Sequence, residues 1–334
     1  MSARCRGPRL PALLLAGTFA AATVGCVGPP AATLAGVVEK SDCPVAPSDY
    51  DGDVRFAHLG SAGPESYIID RGLAEACLPE ASVTWTRYPT GQDIVQSFAA
   101  GSSDIGLLGS TPTAKALSEP LDLPLDVTGV NSVIGTSEAL VARDAASPAD
   151  LRGRRIGVPY SSTSHYSLLK VLEAEGLDYR TDVELVNLSP DKLPAAWESG
   201  GVDAAYVWNP TLDELVAAGG TVLVDSAEVG AAGSPTFNIT AAERGFRQEA
   251  PDVLRLWGDL RDWAVRQSEE DPEGFVTSVA AETGLPVESA RRQLEGLRFV
   301  PAADQPAELD RVAVALHDTA EAPASAADRK DHER

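Results

Sequence analysis

Short apolar runs alternate with amphipathic segments along most of this chain. The segment 90–100 places its apolar side chains on one helical face, and Thr90 with Asp93 three residues later is typical of a capped helix start. We expect strands at the short apolar runs 54–59, 83–86, 105–109, 155–159, 183–188, 204–207 and 221–224, and one within 134–142 that crosses into a second region. Because strand and helix alternate, the pattern predicts mostly parallel sheets with helices on both faces.

The pattern becomes mainly helical after Phe237. We expect helices over 250–267, 272–283, 287–297 and 307–319, some of which must pack back onto the first strands. The fold class predicted is therefore α/β with two lobes, one built from 51–133 and 238–320 and the other from 134–237. Ligands of such folds bind where strands end and the following helices begin, so we expect a ligand-binding cleft between the lobes.

The two ends of the chain differ in composition from its middle. Residues 1–25 combine three arginines with a short apolar stretch, which predicts an export signal, and Cys26 follows small residues as in a lipobox. Cys26 is therefore the expected lipidation site, with cleavage by ordinary signal peptidase as the alternative. The Ala- and Pro-rich stretch 26–50 is typical of a tether, and the polar tail 321–334 of a disordered segment.

Charge and cysteine content exclude some classes of function. The 334 residues carry a formal net charge of −22, which argues against a nucleic-acid partner. Besides Cys26 and a cysteine in the signal, only Cys43 and Cys77 remain. In an exported protein they are expected to form a disulfide, the alternative being two unrelated buried thiols. The four histidines lack ligand spacing to a cysteine, so we expect neither a metal nor another cofactor.

Hydroxyl and aromatic side chains follow three of the predicted strands. Ser110 and Thr111 follow one, Ser162 and Thr163 another, and Trp208 ends a third. Helix N-termini bind tetrahedral anions through backbone N–H groups without needing Lys or Arg. The alternative for each junction is plain helix capping.

Further candidates surround these junctions. His165 has no Ser-His-Asp order or nucleophile elbow beside it, which favours a ligand donor or a capping neighbour over a catalytic base. Tyr166 and Trp208 are candidates to wall an apolar linker, or else core residues. Glu138 stands where the chain enters the second lobe and is a candidate to hold an ammonium group, the alternative being an exposed strand charge.

At these residues the sequence resembles the taurine-binding proteins of ABC importers, within the wider alkanesulfonate- and thiamine-precursor-binding group. The resemblance is carried by 91–95 (GQDIV), 104–110 (DIGLLGS), 137–141 (SEALV), 162–169 (STSHYSLL) and 203–210 (DAAYVWNP). It implies a type II periplasmic-binding fold, ligand capture by lobe closure and handover to a permease with its ATPase. It also implies a set of cleft residues, namely Ser110, Thr111, Glu138, Thr163, His165, Tyr166 and Trp208. Asn238 departs from the family pattern, which resembles Pro-Thr-x-Asp, and that Asp looks like a contact for the ligand's amine.

The sequence therefore indicates a monomeric, extracytoplasmic, lipid-anchored solute-binding protein for taurine or a similar small sulfonate, and not an enzyme. Alkanesulfonates without an amine, or another sulfur-containing zwitterion, are the alternative ligands. The alternative classes are an enzyme of the pyrimidine-synthesis branch with this fold and a sensor that presents ligand to a membrane kinase.

Overall fold

The computed structural model describes residues 42–321, side chains at the last two positions excepted. The expected signal, the lipidation site Cys26, most of the expected tether and the expected tail lie outside the described residues. The strands are β1 (Asp53–His58), β2 (Ser82–Arg87), β3 (Ile105–Gly109), β4 (Leu125–Ile134), β5 (Glu138–Ala142), β6 (Arg155–Val158), β7 (Glu184–Asn187), β8 (Ala204–Trp208), β9 (Thr221–Asp225), β10 (Phe237–Glu243) and β11 (Leu297–Phe299).

Helices fill most of the intervals between these strands. They are α1 (Pro64–Asp70), α2 (Leu73–Cys77), α3 (Gly91–Ala99), α4 (Ser110–Ala116), α5 (Thr163–Ala174), α6 (Leu193–Glu198), α7 (Thr211–Ala217), α8 (Ser226–Ala231), α9 (Arg244–Glu249), α10 (Pro251–Glu270), α11 (Pro272–Thr283), α12 (Val287–Glu295) and α13 (Gln305–Glu321). The predicted cap of α3 is present, since Thr90 and Asp93 form a reciprocal capping box.

The strands form two sheets, and each sheet is the centre of one lobe. Lobe 1 has six strands in the order β11-β4-β10-β3-β1-β2, and lobe 2 has five in the order β7-β6-β8-β5-β9. The chain passes to lobe 2 after Ile134 and returns at Phe237. The two-lobed α/β fold expected from the sequence is confirmed.

The expectation that the sheets are mostly parallel is wrong. Within residues 42–321, four strand pairings are parallel and five are antiparallel. The parallel pairs are those joined by a helix within one lobe, where the βαβ argument holds. The antiparallel pairs all contain β5, β10 or β11, and β5 and β10 enter their sheets from the other lobe. The region after Phe237, expected to be mainly helical, accordingly opens with strand β10.

Apolar side chains cover both faces of each sheet. In lobe 1, Phe56 stacks on Trp85 with ring centroids 4.1 Å apart, and Trp257 of α10 closes over both. In lobe 2, Tyr206 and Trp197 are fully buried in separate clusters. Each lobe therefore has its own core, and the space between them is free for a ligand.

The same kind of Arg–Asp pair joins two adjacent parallel strands in each lobe. Asp104, before β3, accepts hydrogen bonds from the backbone N–H and the guanidinium of Arg55 on β1. Asp203, before β8, accepts the equivalent bonds from Arg155 on β6. Because these bidentate contacts lie opposite the strand ends that face the cleft, their role is structural.

A disulfide attaches the start of the described chain to lobe 1. Cys43 and Cys77 are bonded with their Cα atoms 4.9 Å apart, as expected from their being the two remaining cysteines. Val45 and Tyr50 pack against the core of lobe 1. The described part of the expected tether is thus held on the lobe surface. Of the helices between residues 42 and 321, none is both long and apolar enough to cross a membrane.

Candidate cleft between the two lobes

A cleft of about 580 Å³, counting space open to solvent, lies between the lobes. Both lobes contribute to it, mainly at strand ends and helix starts. Its lining residues are Leu59, Ser61, Ala62, Gly91, Gly109, Pro112, Ile134, Ser137, Glu138, Ser162, Thr163, Trp208, Asn209, Asn238, Gln293 and Leu297. Five residues expected at a ligand site are among them: Glu138, Ser162, Thr163, Trp208 and Asn238.

The start of α5 lines the cleft from lobe 2 and brings the backbone N–H groups of a helix first turn to it. Ser162 is its N-cap: its Oγ accepts a hydrogen bond from the His165 N–H at 3.1 Å and donates to the carbonyl of Pro159 at 2.6 Å. The Ser162 hydroxyl is therefore occupied by capping. The backbone N–H groups of Thr163 and Ser164 belong to the first turn, where helices have no internal acceptor, so they are available to an anion.

Glu138 is the first residue of β5 and is 1% exposed. Its Oε2 accepts hydrogen bonds from the hydroxyls of Thr163 at 2.6 Å and Ser164 at 2.8 Å, and its Oε1 accepts one from Ser226 at 2.8 Å. Burial raises the pKa of Glu138, and the three hydroxyls oppose that rise. This carboxyl group is thus not an exposed strand charge. Its hydrogen bonds hold the beginning of α5 in place.

The end of β8 supplies the aromatic and amide part of the wall. Trp208 pairs in register with Glu138 and lines the cleft. The next residue, Asn209, donates its backbone N–H to Ser137 and accepts from the Asp213 N–H through its side-chain oxygen. Its side-chain NH2 is left to face other partners. An indole beside an amide can cover a short carbon linker and hydrogen-bond one end of it.

Asn238 lies on β10, at the floor of the cleft formed by lobe 1. It pairs in register with Gly109 of β3, and its Nδ2 donates to Ser132 Oγ at 3.0 Å. The side-chain carbonyl of Asn238 is consequently the group left to accept a hydrogen bond.

Two of the expected residues are buried at the start of α4 and are not among the lining residues. Ser110 is 2% exposed, and its hydroxyl accepts the backbone N–H of Phe237 at 3.2 Å. Thr111 is 7% exposed. Both sit beneath the cleft surface formed by Gly109 and Pro112.

His165 and Tyr166 also lie outside the cleft lining. The Nδ1 of His165 accepts the N–H of Ser161 at 3.2 Å, and its ring stacks on Tyr160 at 4.9 Å. Tyr166 lines a separate surface groove together with Lys170. Although His165 is in the first turn of α5, its ring lies against Tyr160, and Tyr166 lies against Lys170, so neither side chain faces the cleft.

Sequence reasoning missed Gln293 of α12, which lines the cleft from lobe 1. It is 3% exposed, and within the described residues its Nε2 has no hydrogen-bond partner. Ser61, Ser137 and Asn209 were missed as well. A single glutamine in an amphipathic helix gives no sequence signal, whereas Ser137 and Asn209 adjoin residues that the motifs had already singled out.

The lining consists mostly of neutral side chains. Glu138 is the one titratable side chain among the lining residues described, which include no Lys, Arg, His or Cys. No group of metal-ligating side chains occurs within residues 42–321. Neutral N–H donors around an apolar wall can hold a small, weakly hydrated oxyanion with a carbon linker.

Comparison with known proteins agrees with this geometry. The family model described as NMT1/THI5 like matches residues 82–255. The taurine-binding periplasmic protein of Escherichia coli K12 is 36% identical over 249 residues, covering 72% of this chain and 77% of that protein.

Two solved structures share the fold. The alkanesulfonate-binding protein SsuA from Xanthomonas axonopodis pv. citri, bound to MOPS, has a TM-score of 0.69 at 22% identity, covering 84% of this chain and 96% of that one. The desulfurization enzyme DSZB has a TM-score of 0.59 at 19% identity, covering 82% and 94%. The chain is a member of the NMT1/THI5-like family and, within it, of the taurine- and sulfonate-binding proteins with a type II periplasmic-binding fold.

Proposed function

We propose that this protein captures taurine or a similar small sulfonate in the cleft between its lobes and delivers it to an ABC import permease with its ATPase. In this proposal the protein acts as a monomer outside the cytoplasm, anchored to the membrane by a lipid on Cys26.

The observation that carries the proposal is the composition of the cleft. A sulfonate has three oxygens, which need several donors, and the start of α5 offers the N–H groups of Thr163 and Ser164. Gln293 brings a buried amide from lobe 1 toward the same space. Because a sulfonate is a weak base, neutral donors in a desolvated cleft suit it better than they suit a strongly hydrated phosphate.

The apolar part of the lining fits the rest of such a ligand. Trp208 covers one side, and Leu59 and Leu297 of lobe 1 cover the other. These side chains would pack on a two-carbon linker. Since donors come from both lobes, a bound ligand would favour the closed arrangement over an open one.

The same lining argues against an enzyme. Glu138 is committed to three hydroxyls, and the described lining has no nucleophilic thiol or basic side chain to pair with it. General acid–base or covalent catalysis requires such a pair within reach of the substrate. Binding and release without reaction is what the side chains support.

Titration calorimetry with the purified protein tests the proposal. We expect taurine or isethionate to bind, and β-alanine, in which a planar carboxylate replaces the sulfonate, to bind far more weakly. Ligand at about 100 times its Kd should add about 2.7 kcal/mol to the free energy of unfolding. Equal binding of taurine and β-alanine, or no binding of any sulfonate, would refute it. Uptake of labelled taurine by cells with and without this protein distinguishes transport from sensing.

A further inference from the structure

A second, smaller chamber adjoins the cleft inside lobe 1. It shares Leu59, Ser61 and Asn238 with the lining of the cleft, so the two spaces meet at these residues. Beyond them it is lined by His58, Gly60, Glu65, Leu107, Leu108 and Asn131. It has room for about one water molecule, which is also the size of a primary ammonium group.

The chamber holds acceptor atoms that the protein does not satisfy. Within the described residues, neither Glu65 Oε2 nor His58 Nδ1 has a hydrogen-bond partner, although both atoms are buried. Asn238 also lines the chamber, and because its Nδ2 donates to Ser132, the amide oxygen is the side-chain atom it has left. Buried polar atoms without partners are rare and costly, so their presence around one small space points to an occupant.

The unsatisfied atoms can accept from a donor: the oxygens of Glu65 and Asn238 carry lone pairs, and Nδ1 of neutral His58 accepts when Nε2 holds the proton. An ammonium group has three N–H donors and no lone pair, and the chamber presents a carboxylate oxygen, an amide oxygen and an imidazole nitrogen. Burial, together with the charge of Arg87, lowers the pKa of His58 to about 4. His58 is therefore neutral near pH 7 and does not repel a cation.

The carboxyl group of Glu65 has no ion pair elsewhere in the described part of lobe 1. Burial raises its pKa, and its own backbone N–H and the charge of Arg261 counter the rise. The Nη1 of Arg261 donates hydrogen bonds to the carbonyls of Val130 and Val300. Across residues 42–321 no Lys or Arg forms an ion pair with Glu65 within 4 Å. Arg261 thus acts on Glu65 without an ion-pair contact, which leaves Oε2 open.

We infer that Glu65, with His58 and Asn238, forms a subsite for the primary ammonium group of an aminosulfonate. This inference rests on the proposed function and assigns the two ends of the ligand to different lobes. The sulfonate lies at the start of α5 in lobe 2, and the amine enters the chamber of lobe 1. Glu65 then supplies the negative charge that Asn238 lacks.

Glu65→Gln tests the subsite by calorimetry with two ligands. Taurine affinity should fall about 10- to 100-fold, because a charge-assisted hydrogen bond is lost, and isethionate affinity should change little. Glu75→Gln is the matched control, since Glu75 also has a buried carboxylate oxygen without a partner among the described residues but lies outside both linings. Equal changes for the two ligands, or none, would overturn the subsite and leave the proposed function standing. If the wild type binds neither ligand, the proposed function fails and the subsite with it.

A measurement on the unmodified protein covers the case in which Glu65→Gln does not fold. N,N,N-trimethyltaurine keeps the sulfonate and the positive charge, but its head group is far larger than one water. It should bind much more weakly than taurine, because the chamber cannot admit it. Equal affinity for the two compounds would show that the amine does not enter the chamber.

Discussion

Gly109 and Thr163 face each other across the cleft so closely that a β-carbon placed on Gly109 would come within 2.8 Å of Thr163 Cγ2. Gly109 ends β3 of lobe 1 and Thr163 begins α5 of lobe 2. A glycine is therefore needed here for the lobes to approach as they do. Its role is close packing, since the backbone of Gly109 is extended, with φ −76°.

We expect Gly109→Ala to weaken sulfonate binding, because the added methyl group keeps the lobes apart. The loss should be about 5- to 150-fold if the clash costs the usual ~1–3 kcal/mol of overpacking. Gly258→Ala in α10 is the control: its β-carbon would meet nothing within 4 Å, and it should leave affinity unchanged. Small-angle scattering should show a larger ligand-bound radius of gyration for Gly109→Ala. Unchanged affinity and radius would contradict the closing role.

Glu138→Gln should weaken taurine and isethionate to the same degree. Its carboxylate orients Thr163 and Ser164, so the change disturbs donors that both ligands share. Ser226→Ala, which removes one donor from the carboxylate without touching the cleft, should have a smaller effect in the same direction. Calorimetry with both ligands measures this. A selective loss of taurine would instead assign the ammonium to Glu138 and count against Glu65.

An ion pair at the rim of the cleft links the two lobes. Asp213 of α7 accepts hydrogen bonds from Arg292 at 2.9 Å and Ser289 at 3.2 Å, both on α12. Because the pair is partly exposed, Asp213→Asn should raise the Kd for sulfonate only about two- to fivefold, and high salt should reduce the difference. Asp252→Asn, which breaks the exposed pair with Arg255 on α10, is the matched control. A salt-independent loss, or an equal one in the control, would rule out a rim contact that favours closure.

Removal of the disulfide should lower stability without changing affinity. Cys43 and Cys77 are 34 residues apart, and a loop of this size is worth about 2–4 kcal/mol on the chain-entropy model. Urea unfolding of Cys43→Ser/Cys77→Ser against the wild type measures the loss. Taurine affinity at low urea should match the wild type, because neither cysteine lines the cleft. Reductant should not change the double variant.

His58 should make stability depend on pH between about 6.5 and 4. Its folded pKa is lowered to about 4, so on acidification the unfolded chain takes up this proton first. Its contribution is complete above about pH 6.5, declines as the pH falls toward about 4, and amounts to at most ~3 kcal/mol. His58→Gln should flatten this part of the profile, whereas His317→Gln, at an exposed position, should not. Parallel profiles for wild type and His58→Gln would show that His58 is not responsible.

Local sequence patterns predicted the elements that are formed by neighbouring residues. The apolar runs at β1, β3, β6 and β8 each became a buried strand, since alternation of strand and helix is a local signal. Strands β4, β10 and β11 were missed, and β10 and β11 take their register from β4, which is distant in sequence. Their pairing partners, and not their own composition, make them strands.

The candidate site, too, could be predicted only as far as local sequence patterns reach. Hydroxyls after a strand identified the start of α5, but only the structure separates the capping hydroxyl of Ser162 from the free N–H groups beside it. Glu138 drew attention by its position, yet one of its partners, Ser226, is 88 residues away. Nothing near Glu65 in the sequence indicates that its carboxylate reaches a chamber with His58 and Asn238.

The central position of β10 in the first sheet has a consequence for the order of folding. Thr240 and Asn131, which hydrogen-bond between β10 and β4, are separated by 109 residues, and all of lobe 2 lies between them. During synthesis lobe 2 is complete in the nascent chain while the sheet of lobe 1 still has an open edge along β3. Lobe 1 must then wait for its central strand, and until β10 arrives the open edges of β3 and β4 are available for wrong strand pairing.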